Sequence, residues 1–218
     1  NSPTAPYREV GDAQQLLLAA DSLGFPIVLK ACENGYDGQQ QWRFHSTADV
    51  QAFISSPNAI AEAIAEKMVD FSIEVSVLAV RNSKGDIAVY APSENTHRNG
   101  TLAVSVAPTP KLNAKQIAEL HSIVDTIMHA LDYAGVLAIE CFVVDEQILV
   151  NELAPRVHNS GHWTQDGASC SQFENHLRAI TGQTLGSTAH LGHCAMINLL
   201  GCSAPDELIS QPHAHLHW

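Results

Sequence analysis

Between Val136 and Trp163 the chain reads VLAIECFVVDEQILVNELAPRVHNSGHW, and no other stretch limits the possible folds as sharply. Val136–Val144 alternates like a strand, with Leu137, Ile139, Cys141 and Val143 on one face and Glu140 on the other. A turn at Asp145–Gln147 leads into a second strand, Ile148–Leu153, which carries Glu152. If a three-residue loop closes this hairpin, Glu140 and Glu152 become cross-strand neighbours with Cα atoms about 4.5–5.5 Å apart. Like charges that close inside an apolar sheet repel, so they need a cation or a shared proton. A divalent metal is the simplest answer, and hard oxygen ligands with few protein contributors suit Mg²⁺ held jointly with substrate phosphates. The alternative is a register that turns one of the two glutamates to solvent.

The loop that follows carries more chemistry than a connection needs. Pro155 ends the strand, and Arg156, His158, Asn159, Ser160 and His162 come within seven residues. Arg156 offers a planar fork for an oxyanion or phosphate, and histidine exchanges protons near neutral pH. His158 and His162 stand four apart, a spacing that on a helix binds zinc in the manner of HExxH. Asn-Ser-Gly between them and Pro155 before them argue against a helix, and so against zinc. A plain polar turn does not explain why an arginine and two histidines follow directly on paired carboxylates.

The run Asn151–Gly182, NELAPRVHNSGHWTQDGASCSQFENHLRAITG, closely resembles the 5-(carboxyamino)imidazole ribonucleotide synthetases. These are ATP-grasp enzymes, the ATPase subunit of phosphoribosylaminoimidazole carboxylase in purine biosynthesis. The resemblance extends over essentially the whole chain. It implies an α+β fold with an ATP-grasp core: a small lid subdomain over residues 1–68, a larger subdomain over 69–218, and nucleotide between the two.

The rest of the chain is read with and without that resemblance. Residues 11–23 have helical spacing, with Leu16, Leu17, Ala20 and Leu23 on one side, and Gly24 and Pro26 end the pattern. FPIVLK, residues 25–30, is a short apolar strand ending in Lys30, either a cation presented to phosphate or a snorkelling strand-end lysine. The loop ENGYDGQQQ places Gly35 and Gly38 around Tyr36 and Asp37, where backbone N–H groups can approach phosphate oxygens. By resemblance Gly35, Tyr36, Asp37, Gly38, Gln39, Gln40 and Gln41 line ATP together with Lys30, and Tyr36 lies near the bicarbonate-derived group. The family's typical glycines are replaced by Asn34 and Gln40, and its frequent arginine by Gln39.

Thr47–Ser55 reads as a short capped helix. Ala59–Val69 favours helix by propensity, whereas the resemblance requires a strand leading into the adenine hinge, and the strand is adopted. Glu66, Lys67, Met68 and Val69 then meet the adenine edge, and Glu74 accepts from the ribose hydroxyls. Glu74–Arg81 and Asp86–Ala91 form a hairpin around Asn82–Gly85. His97 falls where the family has a histidine near the nucleotide, while Ala103 stands where an arginine is common. Asn113–Tyr133 is the clearest helix, with an Asn cap and Ile117, Leu120, Val124, Ile127 and Leu131 at helical spacing. Cys170–Ile180 reads as another helix and Ala195–Leu200 as a strand. The tail places His213, His215 and His217 on one face of an edge strand, a possible metal-binding alternation.

Composition narrows the chemistry. With 23 acidic and 11 basic residues the formal charge is −12, and the few cations form no cluster, which disfavours a nucleic-acid groove. An acidic chain that handles an anionic nucleotide must rely on metal ions and a few placed cations, which singles out Lys30 and Arg156. No apolar run is long enough to span a bilayer. The five cysteines make no CxxC pair, as expected of reduced thiols in a cytoplasmic protein. The chain starts at Asn1 without Met and is expected to be a portion of a longer protein.

By resemblance, ATP and Mg²⁺ are the cofactors, and bicarbonate and 5-aminoimidazole ribonucleotide the other small-molecule partners. ATP phosphorylates bicarbonate to carboxyphosphate, which carboxylates the amino group of the ribonucleotide. Glu140 and Glu152 hold the metal with Asn151 alongside, Arg156 holds the carbonate-derived anion, and His158 and Asn159 hydrogen-bond beside it. The family has further N- and C-terminal domains and is commonly dimeric, so this portion alone is expected to bind nucleotide without turnover. The alternatives are another ATP-grasp ligase or carboxylase component, and a non-catalytic metal-binding module built on the histidines.

Overall fold

Short amphipathic elements fold into two units, Pro3–Ser72 and a larger one from Ile73 onward; the computed structural model describes residues 2–32, 40–56 and 62–217. The small unit contains β1 (Tyr7–Val10), α1 (Ala13–Leu23), β2 (Ile27–Ala31), β3 (Gln41–Phe44), α2 (Thr47–Ile54) and β4 (Ala63–Lys67). Its sheet is antiparallel throughout, in the order β1-β4-β2-β3. Asp12 starts α1 by accepting from the Gln15 N–H at 2.7 Å, and Ser46 and Asp49 form a reciprocal capping box on α2. Leu16, Ala19 and Ala20 of α1 and Val50 and Phe53 of α2 bury against Ile27, Leu29, Phe44 and Ala65.

β4 settles the contest between propensity and resemblance in favour of a strand over Ala63–Lys67, residues 59–61 lying outside the described residues. Ala63 and Ala65 alternate as fully covered positions, flanked by half-buried Ile64 and Glu66. Their small side chains let the helical layer approach the sheet closely, so the same alanines that favour helix locally serve as a central strand.

The larger unit contains β5 (Ile73–Arg81), β6 (Ile87–Val89), β7 (Ser93–Arg98), β8 (Thr101–Ala107), α3 (Ala114–Leu131), β9 (Gly135–Val144), β10 (Gln147–Ala154), α4 (Thr164–Gly167), α5 (Gln172–Ile180), β11 (Cys194–Ile197) and α6 (Asp206–Ile209). A 3-10 turn over Asn159–Gly161 precedes α4. The strands pair in the order β10-β9-β5-β7-β8-β11, with β6 on the end of β5. On β5 and β9 the period-2 pattern assigns the two faces. Val75, Val77, Ala79, Leu137, Ile139, Cys141 and Val143 take one face, covered by Leu120, Ile123, Val124 and Met128 of α3. Leu78, Val80, Val136 and Ala138 take the other, packed with Trp163, Ala168 and Ala179 of α5. On β5 and β9 this second apolar cluster stops at Leu78 and Ala138, and the next positions on the same face are polar: Ser76, Glu74 and Glu140.

Three sequence expectations change here. The hairpin that carries the carboxylates closes with a two-residue turn, Asp145 and Glu146 both at positive φ (46° and 68°), rather than with three residues. The missing residue appears as a bulge: Val150 pairs with Cys141, yet Glu152 pairs with Glu140, leaving Asn151 extra. Second, the histidine tail is not a strand, because the last strand ends at Ile197. Third, the helix expected from Cys170 starts at Gln172, with Ser171 as its cap. All five cysteines are free, and burial pushes the Cys141 thiol up to about 12. Among the described residues, no helix is long and apolar enough to cross a membrane.

Candidate active site

Strand registers place the polar residues in rows across one face of the large sheet. Ser93 on β7 pairs with Ser76 on β5, Ser76 with Glu140 on β9, and Glu140 with Glu152 on β10. One step along the strands, Ser105 on β8 pairs with Asn95 and Asn95 with Glu74. Without the bulge at Asn151, a two-residue turn would set Asn151 opposite Glu140 and turn Glu152 to the other face. The bulge is therefore what makes the carboxylates neighbours.

Around these rows the geometry is tight. His97, two residues on from Asn95, directs Nδ1 at Glu74 Oε2 at 2.9 Å. His158 Nε2 lies 3.4 Å from Glu140 Oε1. Glu74, His97 and Glu140 each offer one donor atom, all within 4.8 Å of one another, the arrangement of a cation site. Burial pushes the Glu140 carboxyl up to about 7, with the charges of Glu74 and Glu152 adding to the shift and those of His97 and Arg156 opposing it. The hydrogen bond to Glu74 raises His97, against the effect of its own burial. Three carboxylates thus face one arginine and two imidazoles, an excess of negative charge that suits a divalent cation bound through oxygen.

Buried hydroxyls brace the rows from the side. Ser76 and Ser93 share a hydrogen bond of 2.8 Å, and Ser105 Oγ donates to Asn95 Oδ1 at 2.7 Å. Sequence reasoning missed this network, although S-x-N-x-H over Ser93–His97 is a period-2 polar pattern that could have revealed it.

The loop after β10 is held by its own caps. His158 caps the 3-10 turn: its Nδ1 lies 2.9 Å from Ser160 Oγ and accepts the Ser160 N–H at 3.3 Å. An Nδ1 that accepts puts the ring proton on Nε2, toward Glu140. Gln172, fully buried, bonds both main-chain groups of His158. Arg156 is exposed, donates to the Val157 carbonyl at 3.0 Å, and lies close enough to bias Glu140. Asn159 buries Oδ1 with no hydrogen-bond partner among the described residues.

The histidine pairings considered for zinc come apart. His158 faces Glu140, whereas His162 packs on Phe173 with ring centroids 5.6 Å apart. His217 reaches Asp166 at 2.7 Å and His215 the same carboxylate at 3.6 Å. Neither set joins the three-donor group.

In the small unit Lys30 pairs with Glu66 at 2.7 Å, and Lys67 Nζ donates to the carbonyls of Gly24 and Phe25. The main-chain N–H groups of Lys67 and Met68 donate to Pro6 and Pro26. Gln41 pairs with Lys30 in register, and Gln40 takes a positive φ of 58° while its carbonyl accepts from Ala31. Gly35, Tyr36, Asp37, Gly38 and Gln39 lie outside the described residues.

Comparison with known proteins gives a consistent family. The ATP-grasp domain model matches residues 1–173. The chain is 42% identical over 216 residues to the N5-carboxyaminoimidazole ribonucleotide synthase of Escherichia coli, covering 99% of this chain and 60% of that protein. The crystal structure of the Thermus thermophilus synthetase superposes with a TM-score of 0.91 at 41% identity, over 100% of this chain and 59% of the other. An Aspergillus clavatus synthase in complex with ADP and 5-aminoimidazole ribonucleotide matches with a TM-score of 0.84 at 27% identity, over 95% and 55% of the two chains. The chain therefore spans about 60% of the length of the relatives it matches.

Proposed function

The chain belongs to the ATP-grasp family, and from that premise we propose that it is the nucleotide- and metal-binding portion of an N5-carboxyaminoimidazole ribonucleotide synthase. The reaction is ATP-dependent carboxylation of 5-aminoimidazole ribonucleotide with bicarbonate, in purine biosynthesis. The observation that carries this reading is the register pairing of Glu140 with Glu152, with Arg156 and His158 directly following on the same hairpin. A relative that binds ADP together with 5-aminoimidazole ribonucleotide supports the choice of substrates.

The donor set fits Mg²⁺: the paired carboxylates of Glu140 and Glu152, with a carboxyl at Glu140 whose burial a cation would relieve. When bound, the ion supplies charge neutralisation at the phosphates of ATP. Glu140 and Glu152 would hold it, and Asn151, the bulge residue just before Glu152, would contact the nucleotide. Glu74 accepts from the ribose hydroxyls with the carboxylate capacity that His97 does not use. The N–H groups of Lys67 and Met68 are already engaged, so the adenine edge meets the Val69 N–H and the carbonyls of the Glu66–Val69 segment. By the family resemblance Lys30, Gln40 and Gln41 serve the phosphates; Gly35, Tyr36, Asp37, Gly38 and Gln39, expected beside them, lie outside the described residues.

Bicarbonate oxygen attacks the γ-phosphorus, the bond to the β-phosphate oxygen breaks, and ADP and carboxyphosphate result. Arg156 holds the carboxyphosphate oxyanion by its planar fork, with His158 and Asn159 beside it as hydrogen-bond partners. The ribonucleotide amine then forms the C–N bond as the C–O bond to phosphate breaks, releasing phosphate and the amine proton. The test is ADP release with bicarbonate and a panel of acceptors. Release that requires 5-aminoimidazole ribonucleotide supports the reading; release driven by another amine or an amino acid overturns it.

A further inference from the structure

We propose that Gln172 is the positioning residue of the site: it fixes His158 by bracketing that residue's main chain. The inference rests on the reading of His158 given above. The Gln172 amide accepts from the His158 N–H through Oε1 at 2.9 Å and donates through Nε2 to the His158 carbonyl at 2.7 Å. One flat amide thereby completes both hydrogen bonds that a neighbouring strand would otherwise give an extended residue, and His158 is extended, with φ −131° and ψ 150°. Among the side chains, only a primary amide presents a neutral donor and acceptor side by side in this way.

The clamp is itself anchored. The Gln172 N–H donates to Thr164 Oγ1 at 3.0 Å, and that hydroxyl donates to the Gly161 carbonyl at 2.7 Å. Gln172 and Thr164 are both fully buried, so these bonds are made away from water. Gly161 makes room for them, since a Cβ there would stand 2.2 Å from Leu78 Cδ2 and 2.8 Å from Gln172 Oε1. With its main chain held at both ends, His158 keeps Nδ1 on the Ser160 N–H and its Nε2 side toward Glu140.

Gln172→Met keeps the shape and deletes both bonds, whereas Gln172→Glu keeps the acceptor and regains a donor only when protonated. Thermal unfolding first establishes that each variant folds. The ring tautomer of His158 is then read by long-range ¹⁵N–¹H NMR on the chain without substrates, and kcat and KM for ATP are read in the ADP-release assay on the full-length protein. Expected for Gln172→Met are a mixed tautomer in place of the single Nε2–H form, Mg·ADP affinity within about two-fold of wild type, and kcat lower by about 10–100-fold, the size seen when an outer partner of a site residue is lost. Gln172→Glu should recover kcat as pH falls. A folded Gln172→Met protein with wild-type tautomer and kcat overturns the inference, and so does parallel loss of kcat and nucleotide affinity, which marks a merely structural residue. Full-length wild-type protein that releases no ADP with the ribonucleotide defeats the functional reading, while the tautomer measurement still decides the role of Gln172.

Discussion

Replacing Glu140 by glutamine keeps the shape of the side chain and removes a charge that the fold holds at a disadvantage. Glu140 is 9% exposed, and burial, then Glu74, then Glu152 lift its carboxyl from 4.5 to about 7. Each unit of such a shift corresponds to about 1.4 kcal/mol, so ionising Glu140 in the cation-free fold costs about 3 kcal/mol as an order of magnitude. Below pH 4.5 both folded and unfolded chains keep the proton, and there is no loss. Between pH 4.5 and 7 the unfolded chain gives the proton up while the folded chain retains it, so stability falls as pH rises. Above about 7 the loss is complete. Glutamine escapes it. In chelator at pH 8, Glu140→Gln should be more stable than wild type by up to about 3 kcal/mol, or about 6–12 °C in Tm for a unit of this size. Calorimetric scans at pH 8 and near pH 4.5 measure the difference, which should shrink toward zero at the lower pH. Mg·ADP should raise the Tm of wild type and leave the variant nearly unmoved. A variant no more stable than wild type at pH 8, or a gap of equal size at both pH values, refutes the argument that Glu140 is a buried charge awaiting a cation.

Other substitutions probe the remaining elements. Glu152→Gln should abolish ATP turnover in the full-length protein and weaken Mg-dependent ADP binding at least about ten-fold by calorimetric titration; wild-type ADP formation would remove Glu152 from the metal site. Gly161→Ala forces a Cβ into Leu78 and Gln172 and should destabilise the larger unit by about 1–3 kcal/mol in urea titration. A thiol reagent at pH 8 should modify exposed Cys32 and Cys202 at once and reach Cys141, whose thiol is pushed up to about 12, only on unfolding. Leu120→Ala on α3, fully buried against the sheet, should cost about 2–5 kcal/mol in the same titration.

Much of this was legible in the sequence because period and charge act locally. The α3 stripe and the Val136–Val144 alternation follow from spacing alone, whereas spacing left it open whether Glu140 and Glu152 share a face. The pairing of Glu140 with Glu152 was anticipated through a three-residue turn and is reached through a two-residue turn plus a bulge, since both routes add one residue to the same strand. What stayed hidden depends on contacts between distant segments. Ala63–Lys67 reads as helix until a sheet and its covering helices are in place. The tail histidines alternate like a strand but pair with no strand among the described residues, and two of them settle on Asp166 instead. Gln172 looks like any helix-start glutamine, and only the fold reveals that its amide is turned back on His158.

The bulge at Asn151 has a further consequence for comparing hairpins of this kind. The same carboxylate pairing arises whether the surplus residue sits in the turn or in the middle of the returning strand. A gap opened at either place in an alignment would look equally acceptable, yet only one choice matches the backbone. Equivalent acids in distant relatives are therefore better matched by which residue each faces across the ladder than by counting along the chain.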